Sequence, residues 1–156
     1  EVSILIYSNK LPTAMKKVSE ILAHKGASVI SVRPDTRVID ALKLMADRNI
    51  GSVMVMEDQI YHGLLTERDY ARKVILKGKS SADTLVRDIL SNDLPRISRD
   101  TSVDNCMQLM SEKNLRYLPV FDNENVIGII SINDVIKAVI ANQQDTITQL
   151  ENYIHS

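Results

Sequence analysis

The chain has 156 residues, with 19 basic and 20 acidic side chains and a net charge of −1. That length suits one domain of ordinary size, or two small halves with a shared core, and buries roughly two-thirds of the unfolded surface without a disulfide or metal. The near-neutral charge argues against a general electrostatic grip on nucleic acid. The single cysteine, Cys106, excludes an internal disulfide framework and fits a reducing compartment.

In chain order, "VSILIY" (residues 2–7) comes first and is far shorter than the ~20 apolar residues needed to span a bilayer. No positive charge precedes it as in a secretory signal, so a cytoplasmic protein without membrane attachment is expected. Residues 1–14 read as a tag or upstream extension ahead of a natural start at Met15. "VISV" (29–32) is a short strand, and Asp35-Thr36 then offer helix N-cap oxygens. The helix that follows buries Val38, Ala41, Leu42 and Met45 at i, i+3, i+4, i+7 spacing. "SVMVM" (52–56), an acidic turn at Glu57-Asp58 and "YHGLLT" (61–66) form a hairpin leading into a second helix. "KGKSSADT" (77–84) reads as a polar connector.

The plan then recurs. Gly63 falls on Gly128 at an offset of 65 (128 − 63 = 65), Asp69 on Asp134, Asp35-Thr36 on Asp100-Thr101, Leu44-Met45 on Leu109-Met110 and Asn49 on Asn114. This register holds without a gap from about residue 32 to 75, which marks an internal duplication of a β-α-β-β-α unit. In the second copy "RIS" (96–98) is the opening strand, Val103, Cys106, Met107 and Met110 are the buried stripe, and "YLPVF" and "VIGIIS" form the hairpin. One three-stranded sheet alone leaves an apolar face bare, so the halves are expected to pack together. The boundaries read as 22–82 and 90–146, with a helical tail over 147–156. Ile140, Ile147, Leu150 and Ile154 carry an apolar seam past the repeat, for which a partner subunit is a natural cover.

The paired copies, the "LPVF" strand and the segments "GLLTERD" and "GIISIND" resemble a tandem cystathionine-beta-synthase (CBS) domain pair, or Bateman module, over about residues 16 to 145. "TERDYARK" and the "QLENYIH" tail resemble stand-alone bacterial signal-transduction pairs, and a similar protein of plant organelles suggests a redox-regulatory role as an alternative. The resemblance implies an α+β fold of two repeats packed face to face with pseudo-two-fold symmetry, and homodimers shaped as a flat disc. It also implies regulatory binding of AMP, ADP, ATP or NAD(H) in clefts between the copies, with an unknown effector protein downstream and no catalytic cofactor.

Thr66 and Asp69, like Ser131 and Asp134, have capping-box spacing, and capping alone explains the pairs. The resemblance adds a second role, in which each carboxylate accepts hydrogen bonds from both ribose hydroxyls and the Thr or Ser helps hold ribose or phosphate. It implies that Pro95, Arg116 and Tyr117 complete the Asp69 cleft, and that Ile30, Gly51, Ser52 and Arg68 complete the Asp134 cleft, with backbone at Ile30 and Pro95 meeting the adenine edge. Arg116 stands opposite Gly51, Tyr117 opposite Ser52 and Arg68 opposite Asn133, so the clefts are expected to differ. Arg116 and Arg68 are the phosphate candidates, because a guanidinium matches phosphate oxygens.

Catalytic chemistry is not expected. Cys106 sits on a core stripe, the histidines are scattered, and no Cys/His cluster or glycine-rich phosphate loop occurs. A protein-interaction scaffold with degenerate clefts is the competing reading.

Overall fold

The computed structural model describes residues 14–26 and 29–155, so the extension read at 1–14 lies, apart from Ala14, outside the described residues. The elements run α1 (Val18–Lys25), β1 (Ser31–Val32), α2 (Val38–Arg48), β2 (Ser52–Glu57), β3 (Ile60–Thr66) and α3 (Glu67–Lys73). Short 3-10 turns follow at Ile75–Lys77 and Val86–Asp88, then α4 (Val103–Lys113), β4 (Tyr117–Asp122), β5 (Asn125–Ser131) and α5 (Ile132–His155). The chain is thus mixed α+β, with the order β-α-β-β-α in the first copy. The second copy's opening strand is reduced to one parallel bridge, Ile97 to Val120.

The described residues form two compact units. Among them the first comprises 29–97 and 117–129, and the second 14–26, 98–116 and 130–155. Compactness therefore does not follow the repeat boundary.

In the first unit β1 pairs parallel with β2, and β2 antiparallel with β3, Ser52 facing Thr66 and Val55 facing Gly63, with a bulge after Val55. Val53, Val55 and Leu65 pack with Val38, Ala41 and Met45 of α2 and with Val74, Val86 and Ile89. Met54 and Leu64 point to the other face of the sheet and are also buried, which is why "SVMVM" reads as a continuous apolar run rather than an alternating one. Gly63 has φ 153°, and a Cβ there would stand 2.5 Å from the Ser91 carbonyl oxygen. Its missing side chain lets Leu64 exchange backbone bonds with Ser91 at 2.9 and 2.8 Å. β4 and β5 form a separate two-stranded sheet.

In the second unit Val103, Cys106 and Met110 of α4 are buried along with Val135, Ala138 and Ala141 of α5 and with Val18 and Ile21 of α1. Asn142 fixes the chain entry by accepting the Met15 N–H and donating to the Met15 carbonyl, both at 2.7 Å.

The structure corrects two expectations about helix starts. Asp35-Thr36 and Asp100-Thr101 do not cap. The N-cap positions are Arg37 and Ser102, and only Ser102 supplies a side-chain cap, to the Asn105 N–H. Thr36 and Thr101 instead accept from the Arg33 and Ser98 N–H groups at 3.1 and 3.0 Å, closing the turn before each helix. The connector is also more than polar filler, since Thr84 is buried. Val38 N–H donates to the Thr84 carbonyl and Val86 N–H to the Thr36 carbonyl. Val103 N–H to Lys16 and Val18 N–H to Thr101 repeat the pattern 68 positions apart (86 − 18 = 68). The segment before α1 thus serves the second copy's first helix as residues 84–86 serve the first copy's.

Candidate functional site

Each copy ends a strand in a Thr or Ser that stands three residues before an aspartate in the first turn of the next helix. At α3 the Asp69 N–H donates to Thr66 Oγ1 at 3.0 Å, and the Thr66 N–H donates to Asp69 Oδ2 at 3.0 Å, a reciprocal capping box. The remaining capacity of Asp69 is spent inside the same unit. Thr66 Oγ1 donates to Oδ2 at 2.9 Å, Ser91 Oγ to Oδ1 at 2.7 Å, and Lys73 Nζ lies 2.9 Å from Oδ1. Lys73 also donates to the Ile89 carbonyl at 3.0 Å. Both carboxylate oxygens are therefore loaded, and the residue is 6% exposed.

At α5 the same box forms between Ser131 and Asp134, at 2.9 and 3.1 Å. Its surroundings differ. The one further donor described is Lys25, at the end of α1, whose Nζ lies 2.7 Å from Oδ2. The Lys25 ammonium and the Ser131 N–H both donate to Oδ2. The side chain is 18% exposed, against 8% for Asp69. Burial pushes the Asp134 pKa up, but the Lys25 hydrogen bond, the Ser131 N–H, the charge of Lys25 and the Ser131 hydroxyl together outweigh it. The carboxyl therefore titrates below its ordinary value.

The repeat extends to the backbone behind each box. The Glu67 N–H donates to the Gly51 carbonyl at 3.1 Å, and the Ile132 N–H donates to the Arg116 carbonyl at 2.8 Å. Gly51 and Arg116 thus each sit behind the box of their own copy. Arg116, Ser131, Asn133 and Asp134 all belong to the second unit.

A sequence duplicated around two such boxes can be compared with known families. The CBS domain profile matches residues 18–75 and 86–141. The chain belongs to the CBS-domain family. It is 36% identical over 146 residues to the CBS domain-containing protein CBSX3, mitochondrial, of Arabidopsis thaliana, across 88% of this chain and 71% of that protein. A solved structure from Burkholderia ambifaria MC40-6, described as a signal-transduction protein with CBS domains, is 42% identical. It superposes with a TM-score of 0.77 over 81% of this chain and 96% of its own. A hexameric CBS-CP12 protein from bloom-forming cyanobacteria is 26% identical, with a TM-score of 0.67 over 80% of this chain and 72% of its own.

The other residues assigned to the CBS clefts fall as follows. Thr66, Arg68, Asp69, Ile30, Gly51, Ser52, Pro95 and Tyr117 lie in the first unit. Gly51 and Tyr117, assigned to different clefts, meet there: a Cβ on Gly51 would collide with the Tyr117 hydroxyl. Ser52 is buried in β2 opposite Thr66. The Ile30 carbonyl accepts the Met54 N–H at 3.1 Å. In the second copy the equivalent of Met54 is Pro119, which has no N–H, so the Pro95 carbonyl loses that donor.

Cys106 is fully buried in α4, and burial pushes its thiol up to about 11, which suits a core residue. Among the described residues no group of His, Cys, Asp and Glu could hold a metal, and no helix is long and apolar enough to cross a membrane. An open cavity of about 440 Å³ beside α5, lined by Lys16, Asp104, Val139 and Ile147 among others, includes none of the assigned residues.

Sequence reasoning missed Lys25, Ser91 and the role of Lys73. The Asp69–Lys73 pair was readable as an i, i+4 ion pair. Ser91 and Lys25 are brought in by chain segments outside the 65-residue register, and no local pattern marks them.

Proposed function

We propose that the chain is a regulatory, non-enzymatic CBS pair that binds an adenosine nucleotide, AMP, ADP, ATP or NAD(H), and that Asp134 is the acid which takes the ribose diol. The observation that carries this reading is the contrast between the two boxes. Asp69 spends both oxygens on its own unit, whereas Asp134 takes the Ser131 N–H and Lys25 on one oxygen, Oδ2, and is the more exposed. An ionised carboxylate accepts two hydroxyls at once, and a depressed pKa keeps it ionised at neutral pH. Lys25, its partner outside the box, is itself 41% exposed, so a ligand hydroxyl can compete for the carboxylate at modest cost.

Phosphate recognition fits the same end of α5. This helix has 24 residues and presents its positive end at the box, while α3 has only 7. The first-turn N–H groups of Ile132 and Asp134 are already held by the Arg116 carbonyl and Ser131 Oγ. Phosphate charge therefore falls to the exposed Arg116 guanidinium. In this reading Thr66 and Asp69 act chiefly as structure. Because α5 carries the box at one end and an exposed surface at the other, ligand binding acts on the element that a partner would read.

A thermal-shift panel of AMP, ADP, ATP, NAD, NADH and S-adenosylmethionine tests this. A ligand at a hundredfold its Kd stabilises by about 2.7 kcal/mol. At least one adenylate or dinucleotide is expected to raise the melting temperature of the parent and to leave Asp134→Asn unmoved. If no compound shifts the parent, the reading fails.

A further inference from the structure

Lys73 stands one turn beyond Asp69 on α3, so its ammonium returns to the carboxylate without leaving the helix, 2.9 Å from Oδ1. It is held from a second side as well, donating to the Ile89 carbonyl at 3.0 Å and to Ser91 Oγ at 3.4 Å. Ser91 Oγ in turn donates to Asp69 Oδ1 at 2.7 Å, and the Ser91 backbone is fixed by its exchange with Leu64. Lys73 and Ser91 thus load the same carboxylate oxygen and brace each other over it.

The second copy carries neither donor. At the repeat offset of 65, Lys73 falls on Ala138 (138 − 73 = 65). At the offset of 68, which relates Val86 and Ile89 to Val18 and Ile21, Ser91 falls on Ala23 (91 − 23 = 68). An alanine side chain ends at Cβ and donates nothing to a carboxylate. The cation that reaches Asp134 comes instead from Lys25, on a different element.

We propose that Lys73 and Ser91 are specificity-determining residues, an internal clip that keeps a ribose diol off Asp69 and limits the chain to one diol-binding box. A diol uses both oxygens of a carboxylate. At Asp69, a residue 6% exposed, it has to displace Ser91 together with an ammonium that Ile89 and Ser91 also hold. At Asp134 alanine stands at both of these positions. The inference rests on reading the boxes as diol sites, and it assigns the residues that make one box serve where two are built.

Changing both residues to those of the second copy tests it. Equilibrium dialysis of AMP, ATP and NAD against the full chain should give, for at least one of them, one bound nucleotide per chain in the parent and two in Lys73→Ala with Ser91→Ala. Adding Asp69→Asn to that variant should return the count to one, which altered packing alone would not do. Lys73→Ala by itself keeps the capping box and the Ser91 bond, so it serves if the double variant's circular-dichroism melt is lost, and it should show the second equivalent at lower affinity. A parent that binds two, or alanine variants that bind only one, would overturn the clip and leave the Asp134 reading in place. A parent that binds none, with a double variant whose single nucleotide is lost again on Asp69→Asn, would uphold the clip and overturn the Asp134 reading. Binding by none of these proteins would overturn both.

Discussion

Asp69 and Asp134 occupy equivalent positions in a duplicated motif and differ in the side chains that reach the box from elsewhere. Replacing Asp69 by Asn removes the charge that Lys73 faces and weakens four bonds at a buried site, so a loss of about 2 kcal/mol in urea unfolding is expected. Asp134→Asn touches a more exposed box and is expected to cost only about 1 kcal/mol. Equal losses would mean that the second carboxylate serves the fold as fully as the first. The pH dependence follows from the depressed Asp134 pKa. The native group ionises below its unfolded value of about 3.9, so its stabilisation is complete above that pH. It is lost as pH falls through the native pKa. Lys25→Met removes the strongest pull opposing burial, so a carboxyl NMR titration should find Asp134 protonating at higher pH than in the parent; an unchanged titration would dismiss the Lys25 contact. Of these relations the sequence displayed the two boxes through spacing alone. It could not rank them, because Ser91 and Lys25 arrive by chain topology.

At the level of elements, the identities shared by the copies mostly mark backbone constraints. Asn49 and Asn114 end α2 and α4 in the left-handed region, both with φ 53°. Alanine at Asn49 should cost about 1 kcal/mol, and glycine there should be close to neutral. Gly63→Ala pushes a Cβ against the Ser91 carbonyl, a backbone atom that cannot swing away. A loss of about 2 kcal/mol is expected, visible as a lower urea midpoint. A midpoint within error of the parent would mean that the pairing of Leu64 with Ser91 tolerates a side chain. The apolar periodicities located α2, α4 and both hairpins, because those elements bury side chains at fixed spacing. They did not reveal the partnership of residues 16–18 with α4, since that relation runs at 68 rather than 65. Val18, Ile21 and Leu22 match Val86, Ile89 and Leu90 at that spacing, so a three-residue shift in the comparison would have exposed it. Asp35-Thr36 misled because a Thr three residues after Arg33 can close a turn as readily as cap a helix.

For the whole molecule, the CBS fold, the second box and the exposed seam meet on α5, and the function depends on whether the box accepts a sugar. The most direct measurement is calorimetric titration of AMP against its 3′-deoxy analogue, which lacks the vicinal diol, into the parent and into Asp134→Asn. Loss of a hydrogen bond to a charged acceptor is worth about 1.5 to 3 kcal/mol. The analogue should therefore bind the parent at least tenfold more weakly, and the variant should bind both ligands with the same low affinity. Equal binding of the two ligands by the parent, or a variant that still distinguishes them, would contradict a diol held by Asp134.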